Sequence, residues 1–246
     1  NPNGVLFTKT AQVNVGGIVA STQNLSNEDF AARRYQFKGS SAASVENQGS
    51  ITGNTIALVA ARIVNSGNLN APQGKVGLAA GKAVTVDLGG PVLVEVTEGA
   101  LNAAIEQSGS IKASGGTVIL TAKAADKLRR SVINHSGLTD VSSLDQLTGG
   151  GSVKLSADTI NHSGHLNANG GGQIDIEAAL FNDSGISSVD GDIAGRIAVK
   201  ATQILQTAQA QLSASGGEGG QIELIGDLDH GRAQFGGAMV ATGRRK

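Results

Sequence analysis

The sequence predicts an all-β protein folded as a parallel β-helix, and three observations lead to this prediction. Short segments of the form apolar-x-apolar recur along most of the chain at a period of about 21 residues. Most of these segments follow a turn-like stretch that contains Ser-Gly or Gln-Gly. Glycine is abundant, with 36 residues, whereas aromatic residues make up only 2% of the chain. Alternation inside a short repeat is typical of strands, and a core of small aliphatic side chains suits thin, regular layers of strands.

Seven repeat units align on the apolar pair of their last strand. The pairs are Ile56/Leu58, Val76/Leu78, Val118/Leu120, Val153/Leu155, Ile174/Ile176, Ile197/Val199 and Ile222/Leu224. The intervals between the first residues of successive pairs are 20, 42, 35, 21, 23 and 25 residues. We interpret the interval of 42 as two coils, with the missing coil in "AVTVDL" and "VLVEV", and the interval of 35 as one coil with an insertion. About ten or eleven coils stacked at ~4.8 Å predict a rod of roughly 50 Å.

Polar residues occupy equivalent positions two places before the corner glycine of six units. They are Asn47, Asn65, Gln107, His135, His162 and Asp183. Equivalent positions lie above one another in a β-helix, so these residues are expected to form a ladder. Polar side chains of this kind stabilise tight bends by hydrogen bonding, and we interpret the ladder as turn chemistry with the histidines in contact with solvent.

Residues 23–38, "QNLSNEDFAARRYQFK", break the repeat. Ser26, followed three residues later by Asp29, resembles a capping box, which marks the N-terminus of a helix. Acidic residues in the first turn and Arg33 and Arg34 in the last turn would suit the helix dipole. The pattern therefore predicts a short helical insertion near residues 27–34, outside the coil stack.

The same insertion holds an aromatic cluster, Phe30, Tyr35 and Phe37, which is half of the aromatic residues of a chain with five Phe and one Tyr. Aromatic side chains carry large apolar surfaces, so we expect the cluster to cover a flank of the β-helix. The alternative is that these three residues contact a binding partner.

Nucleic-acid binding and membrane insertion are not predicted. The formal net charge is −1 and the isoelectric point is about 6.5, so no overall positive field attracts nucleic acid or anionic lipid. No apolar run approaches the ~20 residues that a membrane-spanning helix needs. The chain has no cysteine, which is compatible with any redox compartment.

No segment carries a recognisable catalytic or cofactor motif, so we predict that the protein is not an enzyme and binds no cofactor or metal. His135, His162 and His165 suggest a metal site only weakly, because no cysteine or obvious carboxylate accompanies them. Asp190 and Asp192 are expected to form a polar turn rather than a calcium loop. The glycine-rich stretch at residues 216–220 lacks the aspartate of a repeat-in-toxin turn.

A β-helical polysaccharide lyase or hydrolase stays an alternative for the fold. Such an enzyme would gather charged side chains on one face of a few adjacent coils. The strand positions expected to face solvent alternate in charge and type instead. They are Lys75, Thr117, Lys154, Asp175, Ala198 and Glu223.

The N-terminal third resembles the secretion domain of two-partner-secretion exoproteins, the family of filamentous haemagglutinin. The resemblance rests on "NPNGVLF", "AQVNVGGIVAST", "LSNEDF", "YQF" and the following coils, in that order. It covers roughly residues 1–90 as the C-terminal part of the secretion domain, and residues 91–246 resemble the continuing β-helical repeats. The family domain begins further upstream, so the chain is expected to be a fragment at both ends.

The resemblance implies a right-handed β-helix that is exported through an outer-membrane β-barrel partner and ends in the medium or on the bacterial surface. It assigns the secretion motif to Asn1, Pro2, Asn3 and Gly4, which could also be only a tight turn between coils. It further implies adhesion to host cells or extracellular polysaccharide, with the stem of a secreted cytolysin or contact-dependent toxin as the alternative. The basic stretch Lys123–Arg130 is either a solvated loop or a contact for an anionic polysaccharide or the transporter.

Overall fold

The computed structural model describes residues 1–88, 93–126, 128–143, 149–193, 195–217, 219–226 and 231–243. It confirms the predicted all-β fold with a parallel β-helix. The elements in chain order are β1 Val5–Phe7, β2 Gln12–Asn14, β3 Gly17–Ser21, α1 Asn27–Ala31, β4 Gln36–Lys38, β5 Ser44–Asn47, β6 Ser50–Thr52, β7 Thr55–Ala60, β8 Arg62–Asn65, β9 Asn68–Asn70, β10 Lys75–Ala80, β11 Ala83–Val86, β12 Val94–Glu98, β13 Ala104–Gln107, β14 Ser110–Lys112, β15 Thr117–Ala122, β16 Val132–His135, β17 Leu138–Asp140, β18 Ser152–His162, β19 His165–Asn167, β20 Gln173–Asp183, β21 Ile186–Ser188, β22 Arg196–Gln206, β23 Gln211–Ser213, β24 Gln221–Ile225, β25 Arg232–Gln234 and β26 Ala238–Val240.

The parallel strands of the stacked coils form three faces, which we call A, B and C. Face A contains β3, β7, β10, β15, the first parts of β18, β20 and β22, and β24. Face B contains β1, β5, β8, β13, β16, the second parts of β18, β20 and β22, and β25. Face C contains β2, β6, β9, β14, β17, β19, β21, β23 and β26. Among the described residues face C has nine strands, so the stack is shorter than the predicted ten or eleven coils.

Aliphatic side chains from all three faces fill the interior of the stack. Both residues of six of the seven aligned pairs are at most 2% exposed, from Ile56/Leu58 to Ile197/Val199. Equivalent residues pair directly between coils: Val76 is the Cα partner of Ile56 on one side and of Val118 on the other. This register explains why the repeat was visible in the sequence, because each inward position needs a similar volume in every coil.

The interpretation of the 42-residue interval as two coils is wrong. Strand β10 pairs directly with β15, so the chain makes a single coil between Val76 and Val118. The segments taken as the missing coil form β11 and β12, which pair antiparallel with each other, and β4 pairs antiparallel with β11. These three strands form a sheet outside the coil stack, which we call the covering sheet.

The covering sheet packs on the outer side of face A. Val84, Val94 and Phe37 from the sheet form a second buried cluster with Ala57 and Ile119 from the coils. Strands of face A beneath it are therefore buried on both sides, and Thr55–Ala60 is a nearly continuous apolar run instead of an alternating one. Strands β18 and β20 on the same face alternate between buried residues and more accessible polar ones.

Three long connections and the N-terminal turn lie at one corner of the stack. Residues 22–43, 81–103 and 123–131 each leave the coil after a strand of face A and return before a strand of face B. Residues 1–4 precede β1 at the same corner. We call this corner the insertion edge. From β18 to β22 the corner is crossed by uninterrupted strands of 11 residues, so the insertion edge ends there.

The corner glycines stack so closely that a Cβ atom does not fit. A Cβ built on Gly67, Gly109, Gly137 or Gly164 would collide with the carbonyl oxygen of the glycine one coil earlier. We therefore expect Gly137→Ala to lower the free energy of unfolding by about 1–3 kcal/mol, as overpacking usually does. Urea denaturation measures the effect, and Gly16→Ala is the control because nothing lies within 4 Å of a Cβ at Gly16. Equal destabilisation by both changes would contradict the close-packing explanation.

Candidate functional site

The secretion motif predicted at Asn1–Gly4 forms a tight, solvent-facing turn at the insertion edge. The Gly4 N–H donates to the Asn1 carbonyl at 3.1 Å, and the Asn3 N–H donates to Asn1 Oδ1 at 3.1 Å. Gly4 adopts a φ of 111°, a conformation that residues with a Cβ rarely take. Asn1, Pro2 and Asn3 are exposed. The main chain and the Asn1 side chain thus define the shape of the turn.

Two long-range hydrogen bonds set the orientation of this turn on the rod. The N-terminal ammonium of Asn1 donates to the Ser21 carbonyl at 2.8 Å, where face A ends. The Ser41 hydroxyl donates to the Pro2 carbonyl at 2.6 Å, and it accepts from the Ala43 N–H at 3.2 Å. Ser21 and Ser41 flank the aromatic insertion, so the turn is attached to both stems of that insertion. Serines are common at turns, and nothing in the sequence marked these two as neighbours of Pro2.

The side chain of Asn3 stands apart from these contacts. Within the described part of the chain it makes no hydrogen bond, whereas its main-chain N–H is bound by Asn1. An exposed amide offers two N–H donors and an acceptor oxygen in fixed geometry. Asn3 therefore contributes little to the shape of the turn and is available for contact with another molecule.

The structure divides the aromatic cluster. Phe37 is only 8% exposed and lies in the covering sheet, in register with Val84. Phe30 is 65% exposed on α1, and it meets the half-buried Tyr35 edge to face, with ring centroids 6.4 Å apart. Phe37 and part of Tyr35 thus cover the flank, whereas Phe30 keeps most of its surface exposed. The contact of these residues with a partner stays a prediction.

We expect Phe37→Ala to destabilise the covering sheet by about 3–5 kcal/mol, because it removes a large buried side chain and leaves a cavity. The matched change Phe30→Ala should cost less than about 0.5 kcal/mol, since surface substitutions usually have small effects. Chemical denaturation followed by tyrosine fluorescence reports the difference, because Tyr35 is the single tyrosine and packs against the same cluster. Similar losses in both variants would contradict the division of the cluster.

Helix α1 is shorter than the predicted 27–34, because it ends at Ala31. The predicted start is observed: the Asp29 N–H donates to Ser26 Oγ at 3.0 Å. Arg33 adopts a φ of 56°, its N–H donates to the Phe30 carbonyl, and the Arg34 N–H donates to the Asp29 carbonyl. This Schellman motif ends the helix before the two arginines, so they do not form its last turn. Arg34 instead pairs with Asp29 at 3.0 Å.

The basic loop also lies at the insertion edge, beside the covering sheet. The Asp126 carboxylate accepts from the N–H groups of Leu128 and Arg129 and so closes the loop, whose tip leaves Leu128 97% exposed. An open groove of about 970 Å³ lies between this loop and β12, with polar and apolar lining. Lys127, in the same basic stretch, lies outside the described residues.

The polar ladder is buried. The prediction that its histidines contact solvent is therefore wrong. The inward-facing amides of Asn47 and Asn65 bond at 2.8 Å, and Asn65 bonds to Gln107 at 2.7 Å. The Asn47 and Asp183 side chains accept from main-chain N–H groups two residues on, which is the expected turn chemistry. Gln206, the Cα partner of Asp183 in the next coil, extends the ladder, and each of its residues is at most 4% exposed. The ladder is therefore an internal polar column held together by hydrogen bonds between coils, although Gln206 Oε1 has no partner among the described residues.

The two ladder histidines contact each other inside this column. His135 Nδ1 and His162 Nδ1 are 3.1 Å apart, and His135 Nε2 lies 2.9 Å from Thr139 Oγ1. Burial is the main cause that lowers the pKa of His135 to about 3 and that of His162 to about 4. Both rings are thus neutral, with one Nδ1 donating to the other. Thr139 and Ser187 lie on face C at a position where the neighbouring coils carry Ile or Leu, and they supply the polar contacts of the rings.

The remaining predicted ligands do not converge. His165 is exposed on β19 and does not join the hydrogen-bonded pair. Asp190 accepts from Ser213 Oγ, the Ser215 N–H and Ser188 Oγ, so it stabilises a turn between coils. Within the described ranges no three His, Cys, Asp or Glu side chains are placed to hold a metal ion. Glu218 of the glycine-rich stretch lies outside those ranges.

The solvent-facing side of face A carries balanced charges beyond the covering sheet. Arg196 pairs with Asp175 at 3.3 Å and with Glu223 at 2.6 Å. The six positions expected to face solvent belong to two registers, because Lys75 and Thr117 align with Ser152 and not with Lys154. Ala198 is in register with Asp175 and Glu223 but does not face solvent, since it is only 4% exposed. No described helix is long and apolar enough to cross a membrane.

Comparison with solved structures supports the fold. The crystal structure of the HMW1 secretion domain from Haemophilus influenzae is similar to this chain, with a TM-score of 0.65 and 20% sequence identity. The superposition covers 97% of this chain and 76% of that one. At this level of identity the similarity shows the shared fold alone. A search of curated protein sequences found no match.

Fold and motif together define the class of protein, a β-helical exoprotein of two-partner secretion. Residues 1–176 match the TPS secretion domain family, so the chain belongs to that family. The match extends beyond residue 90 and includes every connection of the insertion edge. Membership implies a secreted exoprotein that is exported across the outer membrane with a transporter of the two-partner-secretion type.

Proposed function

We propose that the turn Asn1–Gly4 directs the exoprotein to its outer-membrane β-barrel transporter and that the remaining coils form a rigid stem for adhesion. The observation that carries the proposal is the position of the turn: it is exposed, its shape is fixed by its own hydrogen bonds, and the Asn3 side chain is unbonded within the described residues. A preorganised polar turn loses little conformational entropy on binding.

The second part of the proposal concerns the stem. The nine coils among the described residues, tied by main-chain hydrogen bonds and a continuous aliphatic core, form a stiff rod that would hold its far end away from the bacterial surface. We propose adhesion to host cells or extracellular polysaccharide as its task, on the basis of the resemblance to filamentous haemagglutinin. The division of the chain near residue 90 into secretion domain and continuing repeats remains a prediction.

We further propose that the chain is not an enzyme. The charged side chains on face A neutralise one another through Arg196, and the buried histidines have no access to a substrate. Incubation of the purified chain with polyuronates should release no unsaturated or reducing ends. Depolymerisation abolished by changing Asp175 or Arg196 would establish a lyase or hydrolase instead.

Export of the full-length exoprotein tests the main proposal. We expect the protein in the medium when the transporter is present and retention in the periplasm when the transporter gene is deleted. Binding of the secreted protein to host cells and to polysaccharide-coated surfaces tests the adhesive stem. Equal export with and without the transporter would overturn the targeting role, and lysis of host cells without adhesion would favour the stem of a cytolysin.

A further inference from the structure

The basic loop that follows β15 is anchored to the rod at both of its stems. At the first stem the Ala100 N–H donates to the Lys123 carbonyl and the Ala125 N–H donates to the Ala100 carbonyl, each at 3.0 Å. At the second stem the N–H and the hydroxyl of Ser131 both donate to Asp158 Oδ2 at 2.8 Å. The position of the loop on the insertion edge is therefore fixed from both sides.

The tip of this loop holds an apolar side chain out in solvent. Leu128 is 97% exposed, yet its N–H donates to Asp126 Oδ1 at 3.0 Å, and the Arg129 N–H donates to the same oxygen at 3.1 Å. An ordered turn thus produces the exposure of the leucine. Leu101, the neighbour of Ala100 in the first stem, is also 59% exposed. Single exposed leucines are common on protein surfaces, but here two of them lie on turns that are hydrogen-bonded to each other.

Positive charge surrounds the tip. Lys123, Arg129 and Arg130 are exposed, and Asp126 pairs with Arg129 at 3.9 Å, so three cations and one carboxylate give these loop residues a net charge of +2. Arg130 makes no ion pair within the described ranges. Arg62, exposed at the start of β8, adds a cation on the same edge. The net charge of −1 for the whole chain hides this local concentration, which attracts an anionic surface.

The exposed leucines distinguish between two kinds of anionic surface. A polysaccharide chain offers charges and hydroxyl groups to the basic side chains but no apolar phase for a leucine. A membrane interface takes up both, because apolar side chains enter below the phosphates while basic side chains stay at the level of the phosphates. A leucine at the tip of a basic turn matches the membrane interface.

We propose that the tip of the basic loop, formed by Leu128 and its flanking arginines with Leu101 beside it, docks the coil stack on a membrane surface that carries anionic phospholipid headgroups. The contact is peripheral, since the leucine side chains reach only the boundary between headgroups and acyl chains. The inference goes beyond the proposed function, because it concerns neither export nor the turn at the N-terminal end of the chain.

Co-sedimentation of the full-length exoprotein, purified from the medium, with lipid vesicles tests the proposal. We expect binding to vesicles of one part phosphatidylglycerol and two parts phosphatidylcholine, much weaker binding to phosphatidylcholine alone, and a decrease with rising salt concentration. Leu128→Ala should weaken binding about tenfold, because it removes several methylene-sized groups from the apolar contact. Arg129→Gln/Arg130→Gln should weaken it roughly twentyfold, at about fivefold for each charge near the surface.

Two matched controls separate the loop from general surface effects. Leu6→Ala removes a leucine that is 56% exposed on face B, in register with Glu46. Lys9→Gln/Lys112→Gln removes two exposed cations that lie outside the insertion edge. Both controls should bind vesicles like the wild type. The thermal midpoint of Leu128→Ala should equal that of the wild type, because the side chain is almost fully exposed.

Four results would overturn the proposal. The first is wild-type vesicle binding by Leu128→Ala, and the second is equal binding to vesicles with and without phosphatidylglycerol. The third is complete competition by inorganic phosphate at constant ionic strength, which would reduce the loop to a site for free phosphate groups. The fourth is binding to soluble polygalacturonate that is lost in Arg129→Gln/Arg130→Gln and kept in Leu128→Ala, which would assign the loop to an anionic polysaccharide.

Discussion

Gly4→Val should lower secretion of the full-length exoprotein about tenfold or more. Gly4 has a φ of 111°, and a strained backbone of this kind costs a residue with a Cβ on the order of 1–3 kcal/mol. A β-branched valine is among the least tolerant residues in that conformation, and its Cβ would also lie 3.4 Å from the Ser44 carbonyl oxygen. The turn would open, and the hydrogen bond from the Gly4 N–H to the Asn1 carbonyl would be lost.

Asn3→Ala separates the shape of the turn from its recognition. The Asn3 side chain makes no hydrogen bond among the described residues, so the variant should keep the turn, the thermal midpoint and protease resistance of the wild type. We expect its secretion to fall as well, because the exposed amide is the group offered to the transporter. Asn102→Ala is the matched control, another exposed turn asparagine at the insertion edge. Normal secretion of Asn3→Ala beside loss in Gly4→Val would show that Asn1–Gly4 serves only as a structural turn.

The regular part of the fold could be predicted from the sequence because each inward position repeats its side-chain size. Ile105, Ile133 and Ile160 stack as Cα partners in successive coils, and the same residue type recurs in the printed sequence at those points. Helix α1 could be located from Ser26 and Asp29, since a cap is a local signal. The end of the helix could not be predicted, because arginine is not a residue type that indicates the left-handed conformation observed at Arg33.

The covering sheet was missed for a physical reason. Strands β11 and β12 are as apolar as a coil, and they lie where an extra coil would fit the period. They differ from coil strands in the surface against which they pack. Val84 and Val94 pack on the outer side of face A, where Ala57 and Ile119 are apolar although they point away from the core of the coils. A strand with apolar side chains on both sides indicates such a second layer. The sequence of Thr55–Ala60 shows this pattern.

The contacts that orient the candidate site depend on tertiary structure alone. Ser21, Gln23 and Ser41 are ordinary polar residues in the sequence. Ser41 reaches Pro2, and Gln23 reaches Ser41, because the coil returns to the same corner. The burial of the histidines was likewise missed. Strand alternation does place them inward, since His135 and His162 each follow a buried isoleucine, Ile133 or Ile160, by two residues. The sequence did not show that the hydroxyls of Thr139 and Ser187 on another face supply their polar contacts.

The buried histidine pair should make the stack sensitive to acid. Folding lowers the pKa values of His135 and His162 from 6.5 to about 3 and about 4, so the unfolded chain binds more protons below pH 6.5. Stability is therefore complete near pH 7 and is lost as the pH falls from about 6.5 toward the folded-state values. At pH 5 each histidine contributes a loss of about 2 kcal/mol, because one pKa unit corresponds to about 1.4 kcal/mol. Burial raises the pKa of Asp183 to about 6, which acts in the opposite direction and offsets about 1 kcal/mol.

We expect the free energy of unfolding to fall by roughly 3 kcal/mol between pH 7 and pH 5, and most of this dependence to disappear in the double variant His135→Gln/His162→Gln. Glutamine fits the ladder, since Gln107 occupies the neighbouring rung with its amide fully buried. Urea denaturation at both pH values measures the change. His165→Gln is the control and should keep most of the acid dependence, because His165 is exposed and its charge is the smallest cause that lowers the two pKa values. A double variant that keeps the acid dependence of the wild type would show that carboxylates elsewhere, and not the buried pair, set the response. The column would then stabilise the coils through its hydrogen bonds without acting as their acid-sensitive element.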